Sequence, residues 1–504
     1  MEILKQWVPS DMIWLISQKW EAKDYASFSM VSKSAYKLLM NFPLLQTSEI
    51  AAHQTVHRIL YGKSHIFLTG AAGTGKSYTL NLLHKKAKKA LISIGMTATT
   101  GMAATNIPNG RTLHSFAGIS CHVPQKPNES IRYQNNGSRS LKGLKVLVIE
   151  EASMLSPSDL EILDMFLRRQ NNPSLLMGGV KIVFCGDFFQ LGPIKATPIC
   201  LTDLWRKMNI TTIEYTRPVR QMTDRRWFRD LNEIRVAKVS EALFTRLCDR
   251  YINVNEESLL RGEYGPLLLP TNSLCSEYNE KAFLLNSNPI HVIKIAIDEV
   301  SELRDGKLYQ TNTMSIADAA YRAKNALQRT PEKVELKHDA LYVLTKNLDV
   351  SLGHINGLVC RYNSQDGMMH PLSNIEESLE KYNEKDEKEK GDPLKYQSLL
   401  PIRPDYCEFT YQVTPKFFLD RLQIPFKLAH ALTIHSSQGM TLQRAAINCG
   451  RSVFAAGQAY TALSRLKSSR GLVLLDLDPR AIKSDARIIK FYKSLEGSEH
   501  YIIK

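Results

Sequence analysis

The sequence lacks every pattern of a thiolate metal site or a redox centre. Its 8 cysteines are scattered singly, and no two of them have C-x-x-C spacing. Zinc fingers and thioredoxin-like centres depend on paired thiols at that spacing, so we expect neither. Unpaired cysteines spread over 504 residues are typical of a reducing, intracellular compartment.

Long apolar runs are missing as well. No stretch approaches the roughly 20 apolar residues that a membrane-spanning helix needs. The segment Met1–Trp7 has no signal-peptide core and lacks the Arg- and Ser-rich character of a mitochondrial presequence. We therefore expect a soluble, intracellular protein without a membrane partner, located in the nucleus or at a viral replication site if the host is eukaryotic.

Acidic residues are outnumbered. The chain has 65 Lys and Arg against 50 Asp and Glu, a net charge of +15 at pH 7. A basic surplus of this size favours a polyanionic partner, nucleic acid first and an anionic membrane surface second. A basic surface with no partner is the alternative. The length exceeds what one hydrophobic core supports, so we expect several domains.

One glycine-rich segment carries the most specific pattern. Residues 70–77 read GAAGTGKS, a full match to the phosphate-loop pattern G-x-x-x-x-G-K-[ST]. The apolar run Ile66–Leu68 before it predicts a buried strand, and Tyr78–Leu83 after it predicts a helix. We expect Lys76 to reach the β- and γ-phosphates and Ser77 to bind Mg²⁺. The predicted nucleotide-binding set is Gly70, Ala71, Ala72, Gly73, Thr74, Gly75, Lys76 and Ser77.

Two further predicted strands end in polar side chains suited to hydrolysis. The apolar run 146–149 ends in Glu150 and Glu151, where P-loop enzymes usually carry Asp followed by Glu. We assign Glu150 to the metal and Glu151 to the general base. After the strand predicted at 181–185, Gln190 can bond both the γ-phosphate and the attacking water. An exposed pair of glutamates at a strand end is the alternative interpretation of the first site.

The alternation of elements predicts an α/β fold. Residues 65–200 alternate apolar strands with helical patterns, as in a parallel sheet flanked by helices, with one strand predicted at 91–95. Residues 376–398 are a Glu- and Lys-rich run to which we assign no function. After this run, 406–412 alternates like a strand of a small β-domain.

These motifs, taken in order, resemble the PIF-type (petite integration frequency) DNA helicases of the RecD-like branch of helicase superfamily one. The resemblance covers about residues 45–480. It is carried by FLTGAAGTGKS (67–77), TATTGMAATNI (97–107), RTLHS (111–115), EEASM (150–154), GDFFQLGP (186–193), RQ (220–221), LPTN (269–272), NG (356–357), AHALTIHSSQGMTL (429–442) and GQAYTALSR (457–465).

The resemblance implies an ATP- and Mg²⁺-dependent helicase that moves 5′ to 3′ on single-stranded DNA and unwinds forks in replication, repair, recombination or telomere maintenance. It implies two RecA-like domains that sandwich ATP, with Arg220 and Arg465 reaching the γ-phosphate. The predicted domains are 1–44, a helical segment; 45–208, the first RecA-like domain; 209–350 with 428–504, the second; and 351–427, an inserted β-rich domain with the charged loop 376–398.

The same resemblance implies which residues touch the DNA strand. Short hydroxyls, a histidine and helix-start N–H groups suit phosphate contacts that do not depend on base sequence. The implied contacts are Thr97, Thr99, Thr100, His114 and Ser115 in the first domain, and His435, Ser436, Ser437, Gln438 and Thr441 in the second.

The sequence departs from the family pattern at several positions. Glu150 stands where the family usually has Asp, Ser436 where H-K-S-Q-G has Lys, and Gln443 where an Asp usually follows T-L. The adenine-reading Gln expected before the phosphate loop has no match in frame, although Gln46 and Gln54 lie nearby. Adenine selectivity is therefore not predicted from these residues.

The N-terminal segment allows two interpretations. Its apolar and Val31–Lys33 positions resemble an F-box, a helical module that binds Skp-type adaptors of ubiquitin ligases. A helical extension packed on the helicase core fits the same residues. Two rival functions also stay open: a DNA translocase or protein remodeller without unwinding, and a non-catalytic DNA-binding adaptor for a ubiquitin ligase.

Overall fold

A computed structural model describes residues 48–105, 107–119, 140–193, 195–251, 255–260, 262–304, 307–327, 330–346, 348–349, 354, 357–371, 400–414, 416–495 and 500–503. The predicted F-box-like segment and the charged run 376–398 lie outside these ranges. Contacts between Cα atoms divide the chain into two compact units. The first unit is Met1–Phe244 with Ala455–Ser469 and Ile482–Lys504, and the second is Thr245–Phe454 with Arg470–Ala481.

Among the described residues, strands and helices alternate between residues 48 and 215. The strands are β1 His65–Gly70, β2 Ile94–Ala98, β3 Arg111–Thr112, β4 Val146–Glu150, β5 Lys181–Cys185, β6 Ile210–Tyr215, β7 Leu267–Leu269, β8 Ile290–Ile295, β9 Ile297–Arg304, β10 Lys307–Gln310, β11 Lys333–Lys337, β12 Leu341–Leu344, β13 Val359–Asn363, β14 Met368–Pro371, β15 Cys407–Gln412, β16 Phe417–Gln423, β17 Phe426–Leu428, β18 Ala431–Thr433, β19 Ala445–Cys449, β20 Leu472–Leu477 and β21 His500–Ile503.

The α-helices precede these strands or lie between them in the chain. They are α1 Ser48–Tyr61, α2 Lys76–Lys89, α3 Gly101–Thr105, α4 Leu113–Ala117, α5 Pro157–Gln170, α6 Asp203–Lys207, α7 Arg225–Arg235, α8 Glu241–Cys248, α9 Glu256–Leu260, α10 Asn272–Leu285, α11 Ile316–Leu327, α12 Gln458–Leu463 and α13 Ala486–Leu495. Within the described ranges, none of them combines the length and apolar character needed to cross a bilayer.

The first unit is built on one parallel sheet with the strand order β21-β6-β1-β5-β4-β2-β3. Its strands are buried on both faces, which explains why they read as continuous apolar runs. The phosphate loop follows β1, the two glutamates stand at the end of β4, and Gln190 follows β5. Because parallel strands end at the same edge of a sheet, these three segments meet there.

One strand begins later than predicted. The sequence predicted a strand at 91–95, but β2 begins at Ile94. Leu91 has a φ of 55° and is 94% exposed, and the Ile92 N–H donates to the Ala87 carbonyl. These residues therefore terminate α2, which leaves no extended backbone for a strand before Ile94.

The first unit also reaches beyond the predicted domain 45–208. Strand β6 pairs with β1 along its whole length, and β21 pairs with β6. Residues from 209 onward and from the C-terminal part of the chain thus complete the first sheet, whereas the sequence had assigned them to a second domain. Backbone pairing between segments far apart in the chain determines which residues belong to the first unit. Local composition cannot predict such pairing.

The second unit contains a smaller parallel sheet with the order β18-β7-β19-β20. Helix α10 is fixed to it by Asn279, whose side-chain amide donates to the Ala431 carbonyl at 3.1 Å and accepts the Ala431 N–H at 2.8 Å. A buried amide that satisfies both backbone groups of a strand residue holds helix and sheet in one register.

The remaining strands of the second unit form antiparallel sheets. Their orders are β10-β9-β16-β15 and β14-β13-β12-β17, and β8 pairs with β11. Of these strands, the predicted β-rich insertion 351–427 contains β13 to β16 and the first two residues of β17. Strands β9, β10 and β12 precede it in the chain, so the antiparallel part of the molecule begins earlier than composition indicated.

His65, at the start of β1, makes stability depend on pH. Its Nδ1 accepts the Ile182 N–H at 3.0 Å. Burial, and then the nearby Lys181 charge, lower the pKa of His65 to about 4. The unfolded chain takes up this proton first, near the ordinary pKa of about 6.5. The free energy of unfolding should therefore fall as pH decreases from about 6.5 towards 4.

The variant His65→Asn tests this dependence, because the Asn side-chain oxygen can accept the same N–H without titrating. It should flatten the pH profile of urea unfolding, followed through the tryptophan fluorescence of the chain. Trp205 and Trp227, which contribute to this signal, belong to the first unit together with His65. Equal slopes for the wild type and the variant between about pH 6.5 and 4 would contradict the assignment.

Candidate nucleotide-binding site

The phosphate loop takes the conformation that its glycines permit. Gly70, Gly73 and Gly75 have φ values of 137°, 81° and 92°, a region that other residues rarely adopt. Gly75 caps the N-terminus of α2 without any side-chain hydrogen bond. The first N–H groups of α2 are therefore not capped by the residue before the helix, and together with the helix dipole they form an anion-binding site.

Lys76 lies directly over the loop. Its Nζ donates to the carbonyl oxygens of Gly70 at 2.8 Å and Ala71 at 3.0 Å. The Thr74 hydroxyl donates to the same Ala71 carbonyl at 2.9 Å. The ammonium group is thus held at the mouth of the loop by oxygen atoms of the loop itself, within reach of a phosphate bound there.

The predicted metal ligands are neighbours. The Ser77 hydroxyl donates to Glu150 Oε1 at 3.2 Å. Glu150 is 7% exposed, and its other oxygen, Oε2, is buried with no hydrogen-bond partner among the described residues. Burial, and then the Glu151 charge, raise the pKa of the Glu150 carboxyl. A buried carboxylate oxygen without a donor, beside a hydroxyl, is the type of oxygen ligand that Mg²⁺ takes.

Glu151, the predicted base, has a strained backbone. Its φ of 53° lies in the left-handed region, which costs a non-glycine residue about 1–3 kcal/mol and occurs mainly at functional sites. Thr99 holds this turn, because its N–H donates to the Glu150 carbonyl at 3.0 Å and its hydroxyl donates to the Glu151 carbonyl at 2.9 Å.

The two predicted arginines converge near Gln190. Arg465 is 2% exposed, and its Nη2 donates to the Gln190 side-chain oxygen at 3.0 Å. Arg220 donates through Nη1 to the Ser464 carbonyl at 3.0 Å. Burial, and then the Arg465 charge, lower the pKa of Arg220 to about 10, and burial lowers the pKa of Arg465. Two close guanidinium groups favour a bound polyanion, which relieves their repulsion.

Arg465 differs from expectation in its domain. The resemblance placed it in a second RecA-like domain, whereas Ala455–Ser469 belongs to the first unit. The Leu191 N–H donates to the Thr461 hydroxyl at 3.1 Å, which ties this segment to the one that carries Gln190. All six predicted catalytic residues therefore lie in the first unit.

The loop also positions Arg220. The Gly73 carbonyl accepts the N–H groups of Val219 at 2.7 Å and of Arg220 at 2.9 Å. A Cβ atom at Gly73 would lie 2.6 Å from both the Arg220 Cβ and the Gln221 side-chain oxygen. The glycine is therefore needed for close approach as well as for its φ.

Three residues around the site were not predicted for it: Arg235, Tyr460 and Tyr492. Asp187 is fully buried and pairs with Arg235. Tyr460 lies within the family stretch GQAYTALSR, so the sequence carried a signal for it, but Arg235 and Tyr492 lie in helices without any motif.

The predicted DNA contacts divide by burial. Thr97 has no exposed surface, and its hydroxyl donates to the Val148 carbonyl at 2.5 Å. Ser437 and Gln438 are also buried, at 0% and 1% exposure. These three side chains have almost no solvent-exposed surface, so they are not available to contact a DNA strand. The others are half-buried (Thr99, Thr100, His114, His435 and Thr441) or exposed (Ser115 and Ser436).

Comparison with known proteins finds similarity to one family. Residues 46–241 match the family described as PIF1-like helicase. The chain is 31% identical over 451 residues to the human ATP-dependent DNA helicase PIF1, covering 87% of this chain and 62% of that protein. The chain is similar to the PIF1-like helicases. It is also 27% identical over 520 residues to the Saccharomyces cerevisiae ATP-dependent DNA helicase RRM3, covering 90% of this chain and 68% of that protein.

Solved Pif1 helicases share the fold. The Candida albicans Pif1 helicase matches with a TM-score of 0.69 and 24% identity, over 88% of this chain and 98% of that one. A Bacteroides Pif1 helicase in complex with ADP-AlF3 and single-stranded DNA matches with a TM-score of 0.66 and 20% identity, over 89% and 97%. This PIF1-like chain spans 62% of the length of the human and rat relatives.

Gly73 and Gly143 offer a matched test of the loop. Both have positive φ, 81° and 70°, but a Cβ at Gly143 would meet nothing within 4 Å. Gly73→Ala should lower the affinity for a fluorescent ATP analogue by tenfold or more, because Arg220 and Gln221 must move. Gly143→Ala should cost about 1–2 kcal/mol of stability and leave the affinity within twofold. Equal affinities for the two variants would contradict this geometry.

Proposed function

We propose that this chain is an ATP-dependent DNA helicase that translocates 5′ to 3′ on single-stranded DNA and unwinds duplex at forks during replication, repair or recombination. The convergence of the phosphate loop, Gln190, Arg220 and Arg465 on one site is the observation that carries the proposal. The relatives named ATP-dependent DNA helicase PIF1 and RRM3 support the helicase activity. The 5′ to 3′ direction rests on the resemblance of the sequence motifs.

Hydrolysis would use groups that are already close together. Loop N–H groups and Lys76 would hold the phosphates, and Glu151 would take the proton from the attacking water. Arg220 and Arg465 would stabilise negative charge on the γ-phosphate, with Gln190 held by Arg465. The parallel sheets of the two units would take the roles predicted for the first and second RecA-like domains.

Mg²⁺ fits the residues present. Among the described residues, no cluster of three or more His, Cys, Asp or Glu could hold a metal by itself. Ser77 and Glu150 would supply two oxygen ligands, and phosphate oxygens and water would supply the others. When bound, the ion neutralises charge on the β- and γ-phosphates.

DNA would act on the ATP site through Thr99. The +15 charge supports a salt-dependent grip on a phosphate backbone. Thr99 and Thr100 are partly accessible, and Thr99 bonds the backbone of both glutamates. A DNA strand that contacts Thr99 would thereby change the position of Glu151. This gives a physical reason for DNA-stimulated hydrolysis. The Bacteroides complex with single-stranded DNA supports this partner class.

The rival functions make different demands on the same site. A translocase or protein remodeller would keep hydrolysis but not separate strands, whereas a non-catalytic adaptor would bind DNA without hydrolysis. A Skp-type partner, and with it a nuclear or viral replication-site location, rests only on the N-terminal resemblance and lies outside the described residues. A role in telomere maintenance likewise rests on the family alone.

ATP turnover with and without single-stranded DNA tests the catalytic assignments. Wild-type protein should show hydrolysis that DNA stimulates. Lys76→Ala should abolish it, and Glu151→Gln should lower kcat by about 100-fold or more while nucleotide binding persists, since general-base catalysis contributes about that factor. Hydrolysis by Lys76→Ala at the wild-type rate would contradict the assignment.

Tailed duplexes test polarity and unwinding. A duplex with a 5′ single-stranded tail should be separated in the presence of ATP and Mg²⁺, and one with only a 3′ tail should not. Separation of the 3′-tailed duplex alone would contradict the direction. Removal of a bound protein block without strand separation would favour the remodeller, and DNA binding with no hydrolysis would favour the adaptor.

A further inference from the structure

One buried carboxylate anchors the segment that carries Gln190. Asp187 has no exposed surface, and Arg235 of α7 donates to it through two hydrogen bonds, Nε to Oδ2 and Nη2 to Oδ1, both 2.9 Å. Paired hydrogen bonds of this kind fix the plane of a carboxylate. The Phe189 ring lies 4.5 Å from the Arg235 guanidinium, and Tyr492 stacks on Phe189 at 4.7 Å. Aromatic rings thus shield the ion pair.

Two tyrosines connect this carboxylate to the phosphate loop. Tyr460 donates its hydroxyl proton to Asp187 Oδ2 at 3.1 Å, and its oxygen accepts the Ala72 N–H at 3.0 Å. The Tyr492 hydroxyl lies 3.4 Å from Asp187 Oδ1 and 2.7 Å from the Thr69 hydroxyl. Thr69 and Ala72 stand on either side of the loop's first glycine, so the loop is held at both flanks.

The charge on Asp187 sets the direction of these contacts. An ionised carboxylate only accepts, so the Tyr460 hydroxyl must donate to it and turn a lone pair towards Ala72. Burial raises the pKa of Tyr460 and of Tyr492, which keeps both phenols protonated. The Ala72 N–H is committed to Tyr460, which leaves the N–H groups after it for phosphate.

We propose that Tyr460 and Tyr492 are positioning residues, which act through the Asp187–Arg235 pair to set the phosphate loop against Gln190 in the geometry that binds nucleotide. The inference rests on the proposed ATPase function and names two residues that do not themselves touch phosphate. A purely structural role would make the same contacts matter for stability but not for nucleotide affinity.

The experiment removes one hydroxyl at a time from the full chain. For Tyr460→Phe and Tyr492→Phe, the Kd for a fluorescent ADP and the KM for ATP with single-stranded DNA should each rise about fivefold, the effect of one lost hydrogen bond. The kcat should change less than twofold, because neither hydroxyl reaches the reacting atoms. The double variant should lose less than the product of the single losses, since both hydroxyls depend on Asp187.

Tyr342→Phe is the matched control. Tyr342 is fully buried in β12 of the second unit, and its hydroxyl donates to the Glu335 carbonyl at 2.7 Å. The variant should lower the melting temperature and leave the Kd for fluorescent ADP unchanged.

If Tyr460→Phe and Tyr492→Phe both bind fluorescent ADP with a Kd within twofold of wild type, the proposal is wrong, even if their melting temperatures fall. If Tyr460→Phe does not fold, Tyr492→Phe decides by the same measurement. If the wild-type chain binds nucleotide but shows no DNA-stimulated hydrolysis, the proposed helicase function is wrong. The Kd values of the tyrosine variants would still test the positioning role. A wild-type chain that does not bind fluorescent ADP would overturn both.

Discussion

The ion pair between Asp187 and Arg235 is the constraint on which the nucleotide site depends. Removing two charges from water is costly, and their attraction compensates only when the geometry is good and the remaining lone pairs are bonded. Here the pairing is doubled, and both tyrosines bond the same carboxylate. Burial lowers the pKa of Arg235, but the Asp187 charge more than offsets it and the pKa is raised. The pair therefore stays charged and fixed.

From this pair the arrangement extends to the catalytic groups. The segment that supplies Asp187 also supplies Gln190, which accepts from Arg465. Arg465 lies two residues after the end of α12, the short helix that carries Tyr460. One C-terminal stretch of chain thus contacts the phosphate loop through Tyr460 and supplies Arg465 to Gln190. This explains why the segment belongs to the first unit. The loop, Tyr460 and Arg465 are parts of one hydrogen-bonded assembly.

Prediction from sequence succeeded where the determinants are local. The glycines of the loop and the helix after it are contiguous in the chain, so their pattern is sufficient. It failed where the outcome depends on distant pairing. Tyr460 and Asp187 are 273 positions apart, and nothing near Arg235 marks it as a partner. Thr97 shows a further limit of prediction from sequence. A motif gives the identity of a residue, but it does not tell whether its side chain is buried by a neighbouring strand.

The central claim is that the Asp187 charge organises the phosphate loop, and a paired substitution tests it most directly. Arg235→Met leaves a buried carboxylate unpaired and should cost about 3–5 kcal/mol of stability. Adding Asp187→Leu removes that carboxylate and should restore most of the stability. Titration of each variant with fluorescent ADP then separates the two roles. The account predicts that the double variant, although stable, binds at least about fivefold more weakly than wild type, because both tyrosines have lost their acceptor. A stable double variant with wild-type affinity would contradict it.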